Sequence, residues 1–206
     1  MSSAASQNRP SQHDLQLRQR AVKVVPGGMT GHLNAAGLPA GYPQFFERGQ
    51  GCRVWDVDGN EYIDFMCSWG PNLLGHHHPV VDEAARRQQA LGDCLDGPTA
   101  RFVELAERFV ARSAHADWVL FQKNGTDATT VCLMVARAAT GKRKVLVATK
   151  AYHGADPWCT PIPQGITPED RAHLIHYTYN DIASLEAAVA QAGSDLAAIV
   201  CAAFKH

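Results

Sequence analysis

The stretch FQKNGTDATT, residues 121–130, lies where one kind of sequence pattern gives way to another. Before it, the apolar run from 118 to 121 predicts a short β-strand. After it, residues 126–140 carry apolar side chains at helical spacing, which predicts an α-helix. The stretch is therefore the joint between a strand and a helix, and the interpretation of the fold depends on that joint.

Three explanations fit the joint. Asn124 and Gly125 can form the tight turn of a β-hairpin, and Thr126 can cap an ordinary helix. Alternatively, the three residues together can bind a phosphate, because a helix start presents free N–H groups, glycine permits close approach, and a hydroxyl donates one more hydrogen bond. The local sequence alone favours the capped helix, and the rest of the chain decides between the alternatives.

The chain after the joint alternates between types of element. Apolar segments at 144–148, 174–177 and 196–201 predict strands, and residues 181–192 predict a helix. Strands that alternate with helices favour an α/β fold with a largely parallel sheet. In such sheets ligands bind beyond the carboxyl ends of strands, and the joint at 121–130 has that position.

The chain before the joint has a different character. Residues 15–25 predict a short helix, and residues 29–51, rich in Gly and Pro, predict a loop. Alternating residues over 53–65, broken by Asp58-Gly59-Asn60, predict a β-hairpin. Two further helices are predicted, at 78–93 and 99–114.

The composition excludes several classes of protein. The 206 residues are 46% hydrophobic and 19% charged, with a formal net charge of −1, as expected of a globular chain with one sizeable core. This charge gives no electrostatic reason to expect nucleic acid as a partner. No apolar run approaches the roughly 20 residues of a membrane span. We therefore expect neither a nucleic-acid nor a membrane partner.

Cysteine and histidine residues indicate no disulfide framework and no metal site. None of the six cysteines is spaced as CxxC, which favours buried free thiols in a reducing cytoplasm. Adjacent histidines, as in His76-His77-His78, point to opposite faces of an extended chain, and no further ligand stands at metal-site spacing. We expect a cytoplasmic protein without a metal.

Several segments, taken in order, resemble the N-terminal half of a class III aminotransferase, of the kind similar to glutamate-1-semialdehyde aminomutase. They are PGG at 26–28, VWDVDGNEYIDF at 54–65, SWGPNLLGHHHP at 68–79, GPT at 97–99, NGTDATTVCLMVARAATGKRKVL at 124–146 and YHG at 152–154. The likeness covers about residues 20–200, and the ordered set is more specific than any single motif.

The resemblance implies the α/β fold of the fold type I aminotransferases. It implies an N-terminal segment with a β-hairpin at 21–66. The polar N-terminus, without a hydrophobic stretch, predicts a disordered tail at 1–20. Residues 67–206 then form the first, incomplete part of a large, mostly parallel-sheet domain that binds pyridoxal 5'-phosphate. The complete protein is expected to be a homodimer.

The resemblance also changes the interpretation of the joint. The family's phosphate-binding Ser-Gly-Thr stands here as Asn124, Gly125 and Thr126. Gly125 and Thr126 correspond directly, and the amide of Asn124 can still donate a hydrogen bond to phosphate. The phosphate explanation is thereby favoured over a plain helix cap.

Four further residues take roles from the resemblance. The family's Tyr-His-Gly implies that Tyr152 stacks on the pyridine ring, with His153 beside it as a loop hydrogen-bonding residue of the cofactor site. Ser68 and Trp69 match a segment that borders the substrate pocket. Asp156, nearby in the loop, is interpreted as a solvated charge.

The residue that performs the family's chemistry is not among these. The family's aldimine-forming lysine lies beyond residue 206, as does the aspartate that pairs with the pyridine nitrogen, so the catalytic residues are unknown. We expect this chain to be part of a longer enzyme and to be inactive alone.

The expected activity of the whole enzyme is transfer of an amino group between a small amino donor and a 2-oxo acid or aldehyde acceptor. Aminomutases of this type carry an Arg shortly after the Pro-Gly-Gly, and no Arg lies between 21 and 47, which favours a transferase. The alternatives are an aminomutase-type isomerase and a non-catalytic remnant without the lysine.

Overall fold

The computed structural model describes residues 12–30 and 33–203. The chain divides into two compact units, unit 1 (Met1–Thr99) and unit 2 (Ala100–His206). The expected domain division after residue 66 stays a prediction about the complete protein.

Unit 1 is built around a three-stranded antiparallel sheet in the order β1-β2-β3. Its helices and strands are α1 (Gln12–Ala21), β1 (Phe46–Gln50), β2 (Arg53–Asp56), β3 (Glu61–Ile63) and α2 (Pro79–Gln89). β2 and β3 pair antiparallel, with Trp55 opposite Glu61 and Arg53 opposite Ile63. The predicted hairpin at 53–65 is therefore confirmed.

A buried carboxylate organises the turn of this hairpin. Asp56 is 4% exposed and accepts hydrogen bonds from the amides of Asp58 and Asn60, the side-chain amide of Asn60, and the Tyr62 hydroxyl, at 2.9–3.0 Å. Burial alone raises the pKa of Asp56, but these hydrogen bonds outweigh burial and lower it. Burial and the bond to Asp56 together raise the pKa of Tyr62 to about 12.

The structure corrects the prediction for the chain before the hairpin. Strand β1 lies within residues 29–51, predicted as a loop. α1 overlaps the helix predicted at 15–25 but begins at Gln12, inside the tail predicted as disordered at 1–20; residues 1–11 lie outside the described residues. α1 is held by Asp14, which is 2% exposed and accepts hydrogen bonds from the amides of Gln44 and Phe45 at 3.0 and 3.1 Å. Such distant partners leave no periodic signal in the local sequence.

Unit 2 contains a parallel sheet in the order β5-β4-β6. Its helices and strands are α3 (Ala100–Arg112), α4 (Gly125–Thr140), β4 (Lys144–Ala148), β5 (Leu174–Tyr177), α5 (Ile182–Ala192) and β6 (Leu196–Val200). The predicted strands at 144–148 and 174–177 have these bounds. The three predicted helices of this unit and the predicted strand at 196–201 differ from the observed elements by one or two residues at their ends. The α/β prediction with a parallel sheet is confirmed.

The core of unit 2 has two layers, one on each face of β4. On one face Leu133 of α4 packs in a cluster with Val145 and Val147. On the other, Ala188 and Ala192 of α5 pack with Leu146, Ala148 and their neighbours on β5. β4 is thus apolar on both faces, which is why its sequence KVLVA shows a continuous apolar run rather than an alternation.

The predicted strand at Trp118–Phe121 is not formed. An extended segment becomes a strand by hydrogen-bonding to a neighbour, and none of the strands in the described part of the chain pairs with it. Phe121 instead packs edge-on against Phe102 and Phe109 of α3, each with its ring centroid 5.5 Å away.

The expectation of buried thiols is also corrected. Cys159 is buried, whereas Cys52, Cys94, Cys132 and Cys201 are exposed, and all six cysteines are free.

Among the described helices, none has the length and apolar character needed to cross a bilayer. Within the same residues, no group of His, Cys, Asp and Glu is arranged to hold a metal ion.

Candidate functional site

The start of α4 is fixed by a side-chain cap at Asn124. The backbone of Asn124 is extended, with φ −148° and ψ 172°, and its Oδ1 accepts a hydrogen bond from the Asp127 amide at 2.9 Å. Its Nδ2 donates to Oδ2 of Asp127, also at 2.9 Å. Asn124 therefore caps the helix, and one Nδ2 hydrogen remains for another partner.

The cap leaves two backbone donors at the helix start. Asp127 and Ala128 donate to the side chain and carbonyl of Asn124, and the described residues provide no acceptor for the amides of Gly125 and Thr126. A Cβ built on Gly125 meets nothing within 4 Å. Two free N–H groups at a positive helix end, beside open space, form the donor set that a phosphate requires.

A loop from later in the chain lies directly on this helix start. The Thr126 hydroxyl accepts a hydrogen bond from the Ala155 amide at 3.1 Å. The Thr129 hydroxyl lies 2.8 Å from the His153 carbonyl, closer than to the carbonyls of its own helix, and donates to it. The structure thus brings the predicted residues Gly125 and Thr126 together with the loop that carries Tyr152 and His153.

Gly154 is the closest point of this contact. Its φ is +139°, and a Cβ there would stand 2.8 Å from Oγ1 and 3.0 Å from Cα of Thr126. Any other residue would separate the loop from the helix. The glycine of the Tyr-His-Gly motif is therefore required by packing within unit 2.

The two predicted ring residues of the loop differ in exposure. Tyr152 is 54% exposed, and it directly precedes His153, whose carbonyl contacts Thr129 of α4. The ring of His153 lies nearly parallel to that of Trp158, with centroids 6.3 Å apart and an angle of 7°. Burial lowers the pKa of His153 below its usual 6.5, and its Nε2 is buried with no partner among the described residues. A neutral imidazole with an unpaired nitrogen lies next to Tyr152.

Sequence reasoning missed three residues that connect this loop to the helix. Trp158 Nε1 donates to the Thr130 hydroxyl at 2.8 Å, and that hydroxyl donates to Asp156 Oδ2 at 2.6 Å. Asp156 is thus half-buried and hydrogen-bonded, which corrects its interpretation as a solvated charge. Threonines at 129 and 130, near the start of a helix, were a signal of polar contacts, but the sequence did not identify their partners.

The predicted substrate residues Ser68 and Trp69 lie in unit 1, where they form an unusual turn. Cys67, Ser68 and Trp69 have φ of +49°, +51° and +63°, in the left-handed region that non-glycine residues seldom occupy. Strain of this kind is found most often at functional sites. Ser68 lines a cavity of about 620 Å³ with mostly apolar walls, and Trp69 is 73% exposed.

A carboxylate holds this strained turn in place. Asp64 accepts hydrogen bonds from the amides of Met66 and Cys67 at 2.8 and 2.9 Å, and from His76 Nε2 at 2.9 Å. The Cys67 amide, followed by His76, lowers the pKa of Asp64. The turn is therefore anchored to an ionised side chain on its N-terminal side.

Comparison with known proteins gives a consistent result. Residues 38–164 match the aminotransferase class-III family. The aminopentol aminotransferase of Sphingopyxis macrogoltabida is 49% identical over 190 residues, which are 92% of this chain and 45% of that protein. The glutamate-1-semialdehyde 2,1-aminomutase of Chloroflexus aurantiacus is 40% identical over 192 residues, 87% of this chain and 43% of that protein. The chain therefore spans about half the length of the curated relatives it matches.

A solved structure shares the same architecture. The pyridoxal-phosphate internal aldimine form of the Sphingopyxis sp. MTA144 FumI protein superposes with a TM-score of 0.90 at 47% identity. The match covers 95% of this chain and 47% of that one. It confirms the predicted fold class, an α/β fold of the fold type I aminotransferases.

Proposed function

This chain belongs to the class III aminotransferase family, and from that premise we propose that it forms the N-terminal part of a pyridoxal-phosphate-dependent aminotransferase. The whole enzyme would transfer an amino group between an amino compound and a 2-oxo acid or aldehyde. The part described here would bind the cofactor phosphate and place an aromatic ring beside the cofactor.

One observation carries this proposal: the contact between the start of α4 and the loop at 152–156. Among the described residues the amides of Gly125 and Thr126 have no acceptor and can donate to phosphate. Tyr152, 54% exposed, directly precedes His153, whose carbonyl contacts Thr129 of the same helix. The open space over Gly125 fits a close anion, since nothing in the described chain occupies it. The buried, unpaired Nε2 of His153 adds a polar atom that a bound group can satisfy.

The cofactor's chemistry determines which roles are left to the side chains of this chain. Pyridoxal phosphate supplies the electron sink for the reaction when it is bound. In our proposal the helix start holds its phosphate, Tyr152 and His153 orient its ring, and Ser68 and Trp69 border the substrate. In our proposal this chain has no activity of its own, because the resemblance assigns none of its lysines to the family's cofactor-bonding lysine.

The proposal extends to substrate and assembly. The Sphingopyxis relative is named for aminopentol, so aminopentol is the first amino donor to test with the complete enzyme. The complete enzyme would be a cytoplasmic homodimer. Phe65, Leu73 and Leu91 are 90%, 87% and 79% exposed, and in our proposal the rest of the enzyme or its second subunit covers them.

An aminomutase is the second candidate, since the Chloroflexus relative is one. Against it, no Arg lies between residues 21 and 47 to bind a substrate carboxylate as in aminomutases of this type. The complete enzyme separates the two: a transferase consumes a 2-oxo acid with its amino donor, whereas an aminomutase isomerises glutamate-1-semialdehyde without an acceptor.

Gly125→Ala tests the phosphate site within this chain. A methyl group at position 125 has no protein atom within 4 Å, and the backbone φ there is not positive. The thermal midpoint of Gly125→Ala should therefore equal or exceed that of the wild type. It would, however, obstruct an anion on the two free amides, and charge-assisted hydrogen bonds contribute about 1.5–3 kcal/mol. We expect affinity for pyridoxal 5'-phosphate, measured by isothermal titration calorimetry, to fall at least about tenfold.

Gly97→Ala is the matched control, since a Cβ there also meets nothing within 4 Å. It should leave both the midpoint and the affinity unchanged. After borohydride treatment, no cofactor should stay covalently attached to this chain. Unchanged affinity in Gly125→Ala, or a specific reduced adduct on one lysine, would contradict the proposal.

A further inference from the structure

We propose, on the basis of the function above, that Thr130 is a positioning residue: its hydroxyl fixes the loop that carries Tyr152 and His153 against the start of α4. Thr130 has no place in the predicted phosphate site. Its two side-chain partners, Asp156 and Trp158, both belong to the loop.

The chemistry of the partners fixes the direction of both hydrogen bonds. An indole N–H can only donate, and an ionised carboxylate can only accept. The Thr130 hydroxyl therefore accepts from Trp158 Nε1 at 2.8 Å and donates its single hydrogen to Asp156 Oδ2 at 2.6 Å. A hydroxyl satisfies both partners at once, and no apolar side chain of the same shape can.

These bonds hold the loop at two points. The Asp156 carbonyl accepts hydrogen bonds from the amides of Cys159 and Thr160, both at 2.9 Å, so residues 156–160 form a closed turn. Trp158 belongs to that turn, and its ring is nearly parallel to the ring of His153, with centroids 6.3 Å apart. Thr130 thus reaches His153 through Trp158, and Tyr152 is the next residue along the chain.

The other threonines of the helix make different contacts. Thr126 and Thr129 bond to backbone atoms of the loop, the Ala155 amide and the His153 carbonyl. Those two bonds fix the path of the backbone over the helix. Thr130 bonds to side chains instead, so it controls the ring packing beside the cofactor site without touching the site.

The first test needs no ligand. Thr130→Val preserves the shape of the side chain but leaves the Trp158 N–H and the Asp156 carboxylate unpaired. We expect the amides of residues 153–160 to exchange hydrogen at least about tenfold faster in this variant, whereas Thr130→Ser retains the wild-type rate. If Thr130→Val fails to fold, Trp158→Phe, which removes the N–H donor together with the pyrrole ring, should accelerate exchange over the same residues.

The second test compares the binding of two ligands that would contact different parts of the proposed site. Inorganic phosphate meets only the helix start, and pyridoxal 5'-phosphate also meets the aromatic ring. We expect Thr130→Val to weaken the binding of pyridoxal 5'-phosphate about fivefold or more while the affinity for inorganic phosphate is unchanged, and Thr130→Ser to retain the wild-type affinity for both. An equal loss for both probes would indicate a merely structural role and overturn the proposal.

The two tests separate this proposal from the proposed function. If the wild-type chain binds neither probe, the cofactor function fails, and hydrogen exchange alone decides whether Thr130 holds the loop. If exchange over 153–160 is the same in Thr130→Val and the wild type, the positioning role is wrong whatever the chain binds.

Discussion

Gly125 and Gly154 both lie at the proposed phosphate site, but different neighbours require them. Gly125 has open space around its Cα, so only a ligand gives a reason for glycine there. Gly154 has a positive φ of +139°, and a Cβ at this position would collide with Thr126. The packing of the protein itself therefore requires glycine there. Substitution at the first position tests binding, and substitution at the second tests packing.

Gly154→Ala is expected to destabilise unit 2 by about 1–3 kcal/mol, because its methyl group would meet Thr126 and its backbone would be strained. Chemical denaturation followed by circular dichroism measures this loss. Gly165→Ala is the matched control, since its φ of +78° is also positive but its Cβ meets nothing within 4 Å. Equal losses in the two variants would mean that backbone strain, and not the contact with Thr126, dominates.

Two carboxylates of unit 1 predict a loss of stability in acid. Hydrogen bonds hold the pKa of Asp56 and of Asp64 below the usual 3.8 in the folded chain. A lowered folded pKa contributes stability above the unfolded pKa, and this contribution is lost as the pH falls through the folded value. We expect the thermal midpoint of unit 1 to fall as the pH is lowered from about 5 to about 2.

Asp56→Asn should lower the midpoint at neutral pH and flatten its dependence on pH in this range, because the buried site then has no charge to lose. Asp93→Asn, at an exposed position, is the control. It should leave the fall of the thermal midpoint between about pH 5 and about pH 2 unchanged. If the thermal midpoint falls equally with pH in Asp56→Asn and in the wild type, groups other than Asp56 cause the loss of stability in acid.

At the scale of elements, α4 and α5 begin in the same way, but we propose a phosphate site only at the start of α4. Asn124 accepts from the Asp127 amide at 2.9 Å, and Asp181 accepts from the Ser184 amide at 3.0 Å. The two caps therefore make comparable contributions to their helices. They differ in the loop at 152–156, which covers the start of α4.

This pair predicts a separation of stability from binding. Asn124→Ala and Asp181→Ala should each destabilise the chain by about 1 kcal/mol through loss of a helix cap. Only Asn124→Ala should also weaken pyridoxal 5'-phosphate, by disordering the amides that hold phosphate. Denaturation midpoints and calorimetric affinities measure the two effects, and equal binding losses in both variants would assign the effect to stability alone.

At the scale of the whole molecule, the apolar core is unevenly distributed. Every buried hydrophobic residue in the described chain lies in unit 2, from Leu133 to Ala192, and the central strand β4 contributes four of them. The buried side chains of unit 1 include two carboxylates, Asp14 and Asp56. Unit 2 is therefore stabilised mainly by burial of apolar surface, and unit 1 by polar networks.

Hydrogen exchange should reflect this difference. We expect the amides of β4 to exchange slowest and those of β2 and β3 to exchange faster, because protection follows local burial. Leu146→Ala, at a fully buried position, should cost about 2–5 kcal/mol and raise exchange across the parallel sheet. Equal protection of β2 and β4 would contradict a core confined to unit 2.

Part of this protein was determined by its sequence alone. The parallel sheet and its helices followed from periodicity, and the bounds of β4 and β5 were predicted directly, because an apolar run or a helical repeat is a property of a few consecutive residues. The hairpin at 53–65 followed in the same way from its Asp-Gly-Asn turn. Asn124, Gly125 and Thr126 were found together because the start of a helix is marked by a few consecutive residues, although the strand predicted before them is not formed.

The tertiary structure decided what lies across from each segment. The loop at 152–156 covers the start of α4 through contacts such as Thr130 with Asp156, 26 residues apart, and Asp14 holds Phe45 from 31 residues away. Strand β1 forms because β2 pairs with it, and residues 118–121 form no strand because no described strand does. Local patterns specify whether a segment forms a helix or a strand. Which distant segments are hydrogen-bonded to it depends on how the whole chain folds, and a few consecutive residues do not encode that.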